Sequence, residues 1–140
     1  MNNQQANIAA LLLRISLGTM FVAHALLKIF VFTLPGTVQF FASVGLPGGL
    51  AYVVVAMELG GGLLLITGTG VRVVSLALLP VLLGALYVHA GNGWMFSSAN
   101  GGWEYPAFLA AATVVQTLLG AGSYAIKLPF ENTPNTTQTN

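Results

Sequence analysis

The residues most able to do chemistry in this 140-residue sequence are five ionisable side chains in or beside long apolar runs: His24, Lys28, Glu58, His89 and Glu104. A charge inside such a run is costly, so it is expected to face the protein interior and to find a partner. Neutral histidine accepts a proton near pH 7, and carboxylates are common general acids and bases. The set predicts a polar pocket with four acid–base residues, namely His24, Glu58, His89 and Glu104. The alternative is a structural polar network that only fixes how the helices pack.

The composition places these residues in a membrane protein. Charged residues make up 5% of the chain and hydrophobic residues 56%, and the mean hydropathy is +0.83, whereas a soluble domain carries about 25% charged residues. Apolar runs of about 20 residues, the length that crosses about 30 Å of hydrocarbon, fall at 8–33, 49–69, 73–91 and 104–126. These runs are much longer than barrel strands of about 10 residues. The sequence predicts an all-α membrane protein, a four-transmembrane-helix bundle that forms one domain over 1–127, with a disordered tail at 128–140.

The cations predict the orientation of this bundle. With four spans, the N-terminal flank, the turn at 67–72 and the C-terminal flank share one side, which holds Arg14, Arg72 and Lys127. The positive-inside rule makes that side cytoplasmic, so both termini are predicted to be cytoplasmic. Lys28 is the one cation that lies toward the opposite side. We predict a multi-pass protein of the bacterial inner (plasma) membrane. At 1.5 Å per residue, Glu58 lies about 14 Å below the outer end of its span, and the predicted pocket occupies the outer half.

Polar and aromatic residues near the predicted pocket are candidate ligand contacts: Lys28, Asn92, Trp94, Trp103 and Tyr105. The aromatic members are typical of an interfacial belt at the membrane surface. They would also provide a flat apolar wall for a quinone-like ring, which makes quinone the candidate cofactor.

Several other cofactors and partners are excluded or disfavoured. The chain has no cysteine, which excludes disulfides, thiolate metal sites and Fe–S clusters. Haem ligated by His24 and His89 is a weaker alternative because no third feature supports it. No metal site is predicted: the Glu-x-x-His spacing of bundle di-iron sites is absent, and a mononuclear site of His24, His89, Glu58 and Glu104 is a weaker alternative than haem. A net charge of +1 gives no basic surface for nucleic acid.

Local patterns predict how the spans meet. Between Pro35 and Pro47, apolar residues at helical spacing favour a short helix on the membrane surface, with an irregular loop as the alternative. Pro80 is expected to kink the third span. Arg14 is interpreted as a snorkelling or capping residue. Close helix contact is predicted at the small residues, which are Gly60, Gly61, Gly62, Gly84, Ala107 and Ala111.

Four stretches, in this order, resemble the signatures of the DoxX family of small bacterial inner-membrane proteins: "LLLRISLGTMFVAHALLKIF", "GTVQFFASVGLP", "VAMELGGGLLLITG" and "VHAGNGWMFSSANGGWEYP". The resemblance runs from about Leu11 to Gly122. The family pattern falls on all five ionisable residues above, and also on Arg14, Gly18, Gly36, Thr37, Phe40, Gly61, Gly68, Arg72, Asn92, Gly93 and Tyr105. The sequence departs from it at Ala25, at Val71 and near Lys127, where the family often has glycine, threonine and an acidic residue, respectively.

The resemblance implies a four-helix bundle in a group similar to the membrane subunit of thiosulfate:quinone oxidoreductase. Together with the residues, it predicts a quinone-linked redox membrane subunit with a polar pocket in the outer membrane half. Because the chain shows no electron carrier, a redox-protein partner or a substrate would supply electrons. The alternatives are a non-enzymatic membrane scaffold for redox or stress-response partners and a small-molecule transporter. Expected associations are the lipid bilayer and either a redox protein or further copies of the chain.

Overall fold

The computed structural model describes residues 3–126, and no strand occurs among them. Five α-helices follow one another along the chain: α1 (Asn3–Leu26), α2 (Leu34–Ser43), α3 (Leu50–Thr67), α4 (Val71–His89) and α5 (Glu104–Leu119). A π-helical turn, Leu27–Val31, extends α1, and a 3₁₀ turn, Ala90–Asn92, extends α4. The predicted tail, 128–140, lies outside the described residues.

Three helices are long and apolar enough to cross a membrane: Asn3–Val31, Leu50–Thr67 and Val71–Asn92. They correspond to the first three predicted spans. The fourth predicted span, 104–126, is helical only over the 16 residues of α5. Gly120 ends α5 at a φ of 77°, a backbone conformation that glycine adopts without steric cost.

The long helices pack into one body, in which α1 lies against α3 and α5, and α4 lies against α3 and α5. Its apolar core comprises Leu17, Phe21, Leu65, Val71, Leu78 and Leu82. The closest approach is between α1 and α3, where a Cβ on Gly18 would lie 2.6 Å from the carbonyl oxygen of Gly62. Only glycine at both positions allows this backbone contact.

We call the end that carries the 27–49 and 90–103 segments the loop end, and the opposite end, with the tight connection 67–71, the turn end. The segment between the prolines, Pro35 to Pro47, is largely helical, because α2 spans Leu34–Ser43 and packs against α3 and the π turn. Thr33 precedes α2 at a φ of 62°, and its hydroxyl accepts a hydrogen bond from the Gly36 N–H. Helix α4 continues through Pro80.

Candidate functional site

A cavity of about 400 Å³ lies at the loop end of the body. All five helices contribute to its walls, and so does the π turn. The lining includes residues from the loop-end half of α3 and from the loop-end half of α4. In these halves the cavity lies between the two helices, which contact each other elsewhere. Its lining comprises Phe21, His24, Lys28, Phe40, Phe41, Leu46, Leu50, Val53, Val54, Met57, Glu58, Pro80, Val81, Leu82, Gly84, Ala85, Val88, His89, Tyr105, Pro106 and Leu109.

The strongest polar contact of the cavity is an ion pair between α3 and the π turn. Lys28 Nζ lies 2.9 Å from Oε1 and 2.8 Å from Oε2 of Glu58. The side chains are 18% and 7% exposed, respectively. Lys28 therefore donates hydrogen bonds to both carboxylate oxygens. The sequence predicted that a charged residue as deep as Glu58 has a partner, and Lys28 is that partner. The Thr37 hydroxyl lies 3.2 Å from the Lys28 carbonyl oxygen and ties α2 to the π turn.

His24 lies one turn before Lys28 in α1. Its Nδ1 is 2.7 Å from the carbonyl oxygen of Met20. Because a carbonyl only accepts, Nδ1 carries the hydrogen, and Nε2 of the neutral ring is an acceptor. The ring stacks on Tyr105 with centroids 5.8 Å apart and planes at 24°.

His89, at the end of α4, is held in the same tautomer. Its Nδ1 lies 3.1 Å from the Asn100 carbonyl oxygen and 3.0 Å from that of Gly101. Both residues have a positive φ, 65° and 76°. The Asn92 amide donates to the same two carbonyl groups at 3.1 and 2.9 Å. His89 is thus clamped on the Nδ1 side, which leaves Nε2 for a ligand.

Tyr105 brings a polar group that no neighbour satisfies. Its ring lines the cavity, and its hydroxyl oxygen is buried without a hydrogen-bond partner among residues 3–126. A buried polar group without a partner costs free energy. The hydroxyl oxygen is enclosed by protein atoms, so it is the rest of the side chain that lines the cavity.

The other predicted site residues lie outside the cavity lining. Glu104 begins α5, and its Oε1 accepts a hydrogen bond of 3.0 Å from the Phe96 N–H. The rings of Trp94 and Trp103 meet edge to face, with centroids 4.5 Å apart. Together with Asn92, these residues make contacts that fix the conformation of the 90–103 loop. Their catalytic or ligand-binding roles stay predictions.

Sequence reasoning missed the contribution of α2, which covers the cavity with Phe40 and Phe41. The amphipathic spacing of this helix was visible, but the spacing does not say what its apolar face covers. Gly84 was expected to make a close helix contact. Instead it lines the cavity, and an added Cβ would meet no heavy atom within 4 Å.

Arg14 is 1% exposed and lies at the turn end, away from the cavity. Its guanidinium donates to the carbonyl groups of Leu65, Ile66, Ala121, Ser123 and Tyr124. It therefore caps the end of α3 and fastens the segment after α5. Of the two interpretations offered by the sequence, capping is the one found. Within the described part of the chain, no group of three or more His, Asp or Glu side chains could hold a metal ion.

Comparison with known proteins adds a family and a relative. The family model of DoxX matches residues 9–91, which covers α1 to α4 and ends before α5. The chain is 42% identical over 84 residues to "Putative oxidoreductase CatD" of Bacillus subtilis (strain 168), an alignment covering 60% of this chain and 61% of that protein. The chain thus spans less than two thirds of that relative. No solved structure matches the chain significantly.

Proposed function

The chain belongs to the DoxX family of membrane proteins, and we propose that it is a quinone-linked redox subunit of the bacterial inner membrane. In this proposal α5 is the fourth span, and both termini lie in the cytoplasm. Its 16 residues make about 24 Å of helix at 1.5 Å per residue, slightly less than the hydrocarbon thickness. The exposed Arg72 at the turn end supports the orientation. Arg14 is not used as support for the orientation, because it is buried and its guanidinium hydrogen-bonds to backbone carbonyl groups.

The observation that carries the proposal is the composition of the cavity. Its volume, about 400 Å³, falls in the range of about 300–1,000 Å³ typical of small-molecule sites. Apolar walls surround a few polar side chains that line it: two histidines and an ion pair. A flat ring with oxygen atoms on opposite sides fits this combination of apolar surface and hydrogen-bonding groups.

Quinone reduction consumes two electrons and two protons, and the protein would have to deliver both. Nε2 of His24 and of His89 would take a proton and pass it to a ring oxygen. Glu58 would balance positive charge on His24 and Lys28, which lie one helical turn apart. The electrons would come from a partner redox protein or from a reduced substrate. The name of the Bacillus subtilis relative, an oxidoreductase, is consistent with such a role.

The test is quinol formation by the purified protein together with its co-purifying partner, measured across pH for wild type, His24→Gln and His89→Gln. Glutamine keeps hydrogen-bonding capacity but cannot carry the proton. We expect both variants to express and fold, with turnover lowered by about 10²–10⁴, the usual contribution of a positioned acid or base. Arg72→Gln is the control, because Arg72 is exposed at the turn end and does not line the cavity.

Equal rates in wild type and both histidine variants would contradict the proton-transfer role. If the complex assembles normally but the rate is unchanged, the alternative of a scaffold is favoured. A Soret band that disappears in both variants would indicate haem instead.

A further inference from the structure

From the distribution of polar and apolar residues around the cavity, and resting on the proposed function, we infer that the ligand enters sideways from the lipid. It would place its polar ring inward and leave an isoprenoid tail in an apolar mouth between α3 and α4. The substrate class is therefore a membrane-soluble, tailed quinone. A water-soluble quinone without a tail would use only part of the site.

The mouth is defined by the lining residues that are also exposed on the protein surface. Phe40 is 48% exposed, Leu50 38% and Val53 52%, and Pro80 is exposed as well. These four residues come from α2, α3 and α4, and all of them are apolar. The exposed rim of the cavity thus offers no polar group to water.

In the proposed membrane arrangement, the mouth lies along segments of α3 and α4 that cross the hydrocarbon. Val53 is three residues from the start of α3 at Leu50, which corresponds to about 4.5 Å along the helix. Pro80 is nine residues from the end of α4 at His89, or about 13.5 Å. The opening therefore extends from near the loop end toward the middle of the membrane.

The polar groups of the lining are more buried than this rim. Glu58 and Lys28 are mostly buried, and the Tyr105 hydroxyl oxygen is buried too. At the loop end, His89 lines the cavity and is held by the 90–103 loop through its contacts with Asn100 and Gly101. An amphiphile with a polar head and an apolar tail matches this segregation in only one direction, with the head inward.

Pro80 and Gly84 of α4 both line the cavity near the mouth. Proline has no backbone N–H, so α4 loses one helical hydrogen bond at Pro80. Gly84, one turn further on, leaves open space beside the cavity. Because Gly84 has no side chain, the wall contributed by α4 is thin where the tail would pass.

The test compares two benzoquinones with the same ring, one with a decyl tail and one with a methyl group in its place. Binding to the purified protein in lipid nanodiscs is measured for wild type and Val53→Trp. We expect the decyl compound to bind more tightly to wild type and to lose about tenfold in affinity with Val53→Trp, the loss expected if about two methylene groups become unburied. The methyl compound should change less than twofold. Val114→Trp is the matched control, since Val114 is 44% exposed on α5 and does not line the cavity.

A second measurement uses wild type alone, so that it does not depend on a variant's folding. A decyl benzoquinone with a photoreactive diazirine at the tail end should crosslink to peptides containing Leu50–Val53 or Pro80. Crosslinks confined to the 90–103 loop would overturn the lateral mouth, as would equal loss of both compounds in Val53→Trp. If neither compound binds wild type, the proposed quinone function fails as well.

Discussion

The two histidines of the cavity are held alike, although they lie on different helices. Each directs Nδ1 at backbone carbonyl oxygen, Met20 for His24 and Asn100 with Gly101 for His89. A histidine fixed in this way keeps one tautomer and one ring orientation, which favours repeated proton transfer through Nε2. The ion pair of Lys28 and Glu58 lines the same cavity as His24, and Lys28 follows His24 by one helical turn.

At this scale we predict that Glu58 is the acidic residue least tolerant of replacement. Glu58→Leu leaves the ammonium group of Lys28 buried without its partner, and breaking a buried ion pair costs about 3–5 kcal/mol. Glu58→Gln keeps a hydrogen-bond acceptor and should be intermediate. Thermal unfolding in detergent should therefore rank wild type at or above Glu58→Gln, and Glu58→Gln above Glu58→Leu.

The double variant Lys28→Met, Glu58→Leu serves as the control for charge. Since it removes both charges, it should unfold at a higher temperature than Glu58→Leu alone. Glu104→Gln should shift the midpoint less than Glu58→Leu, because Glu104 accepts a single exposed hydrogen bond. A Glu58→Leu protein as stable as wild type would show that the pair does not hold the cavity together.

At the scale of the elements, the glycines of α3 divide by the face on which they lie. Gly62 faces Gly18 on α1, Gly61 faces Leu78 on α4, and a Cβ on Gly60 would meet no heavy atom within 4 Å. Sequence reasoning found the three glycines but treated them alike. Which face of a helix meets its neighbour depends on the packing of the whole body, and three consecutive glycines give no apolar period from which to read it.

We predict that Gly18→Ala destabilises the protein and Gly60→Ala does not. The new methyl group on Gly18 would lie 2.6 Å from the Gly62 carbonyl oxygen and 2.7 Å from Ile66 Cγ1, and such overpacking typically costs about 1–3 kcal/mol. Alanine at Gly60 gains up to about 1 kcal/mol of helix propensity. Thermal unfolding of the two variants measures the difference, and a Gly18→Ala midpoint equal to that of Gly60→Ala would contradict the close crossing of α1 and α3.

Packing of the whole body also decided which parts of the site could be predicted from the sequence. His24, Lys28 and Glu58 were identified because charge is costly in apolar runs, and the structure does bring them together with His89 and Tyr105. The position of Glu104 outside the lining was not foreseeable, because it depends on how the 90–103 loop folds back. The π turn at Leu27–Val31, which carries Lys28, also has no sequence signal in a uniformly apolar run.

At the scale of the whole molecule, the body has two functionally different ends. The turn end is closed by Arg14, whose guanidinium ties α3 to the segment after α5. The loop end holds the cavity, the cover formed by α2 and the clamped 90–103 loop. In the proposed function, the loop end is the one that exchanges the ligand.

We predict that the loop end faces the periplasm. The chain has no cysteine, so single cysteines are clean probes. In intact cells an impermeant maleimide should label Ser97→Cys, an exposed loop position, and leave Thr67→Cys at the turn end unlabelled. Labelling of Thr67→Cys after the membrane is permeabilised is the control for its reactivity. The reverse pattern in intact cells would invert the proposed orientation.

The central claim is that the cavity holds a quinone, and the most direct test is the quinone retained by gently extracted protein. Mass spectrometry would measure the quinone-to-protein ratio for wild type, Gly84→Leu and Gly60→Leu. Leucine at Gly84 places a side chain beside the cavity without a backbone clash, whereas Gly60 lies outside its lining. We expect wild type and Gly60→Leu to retain quinone equally and Gly84→Leu to retain at least tenfold less. No retained quinone in wild type, or equal amounts in all three proteins, would contradict the account.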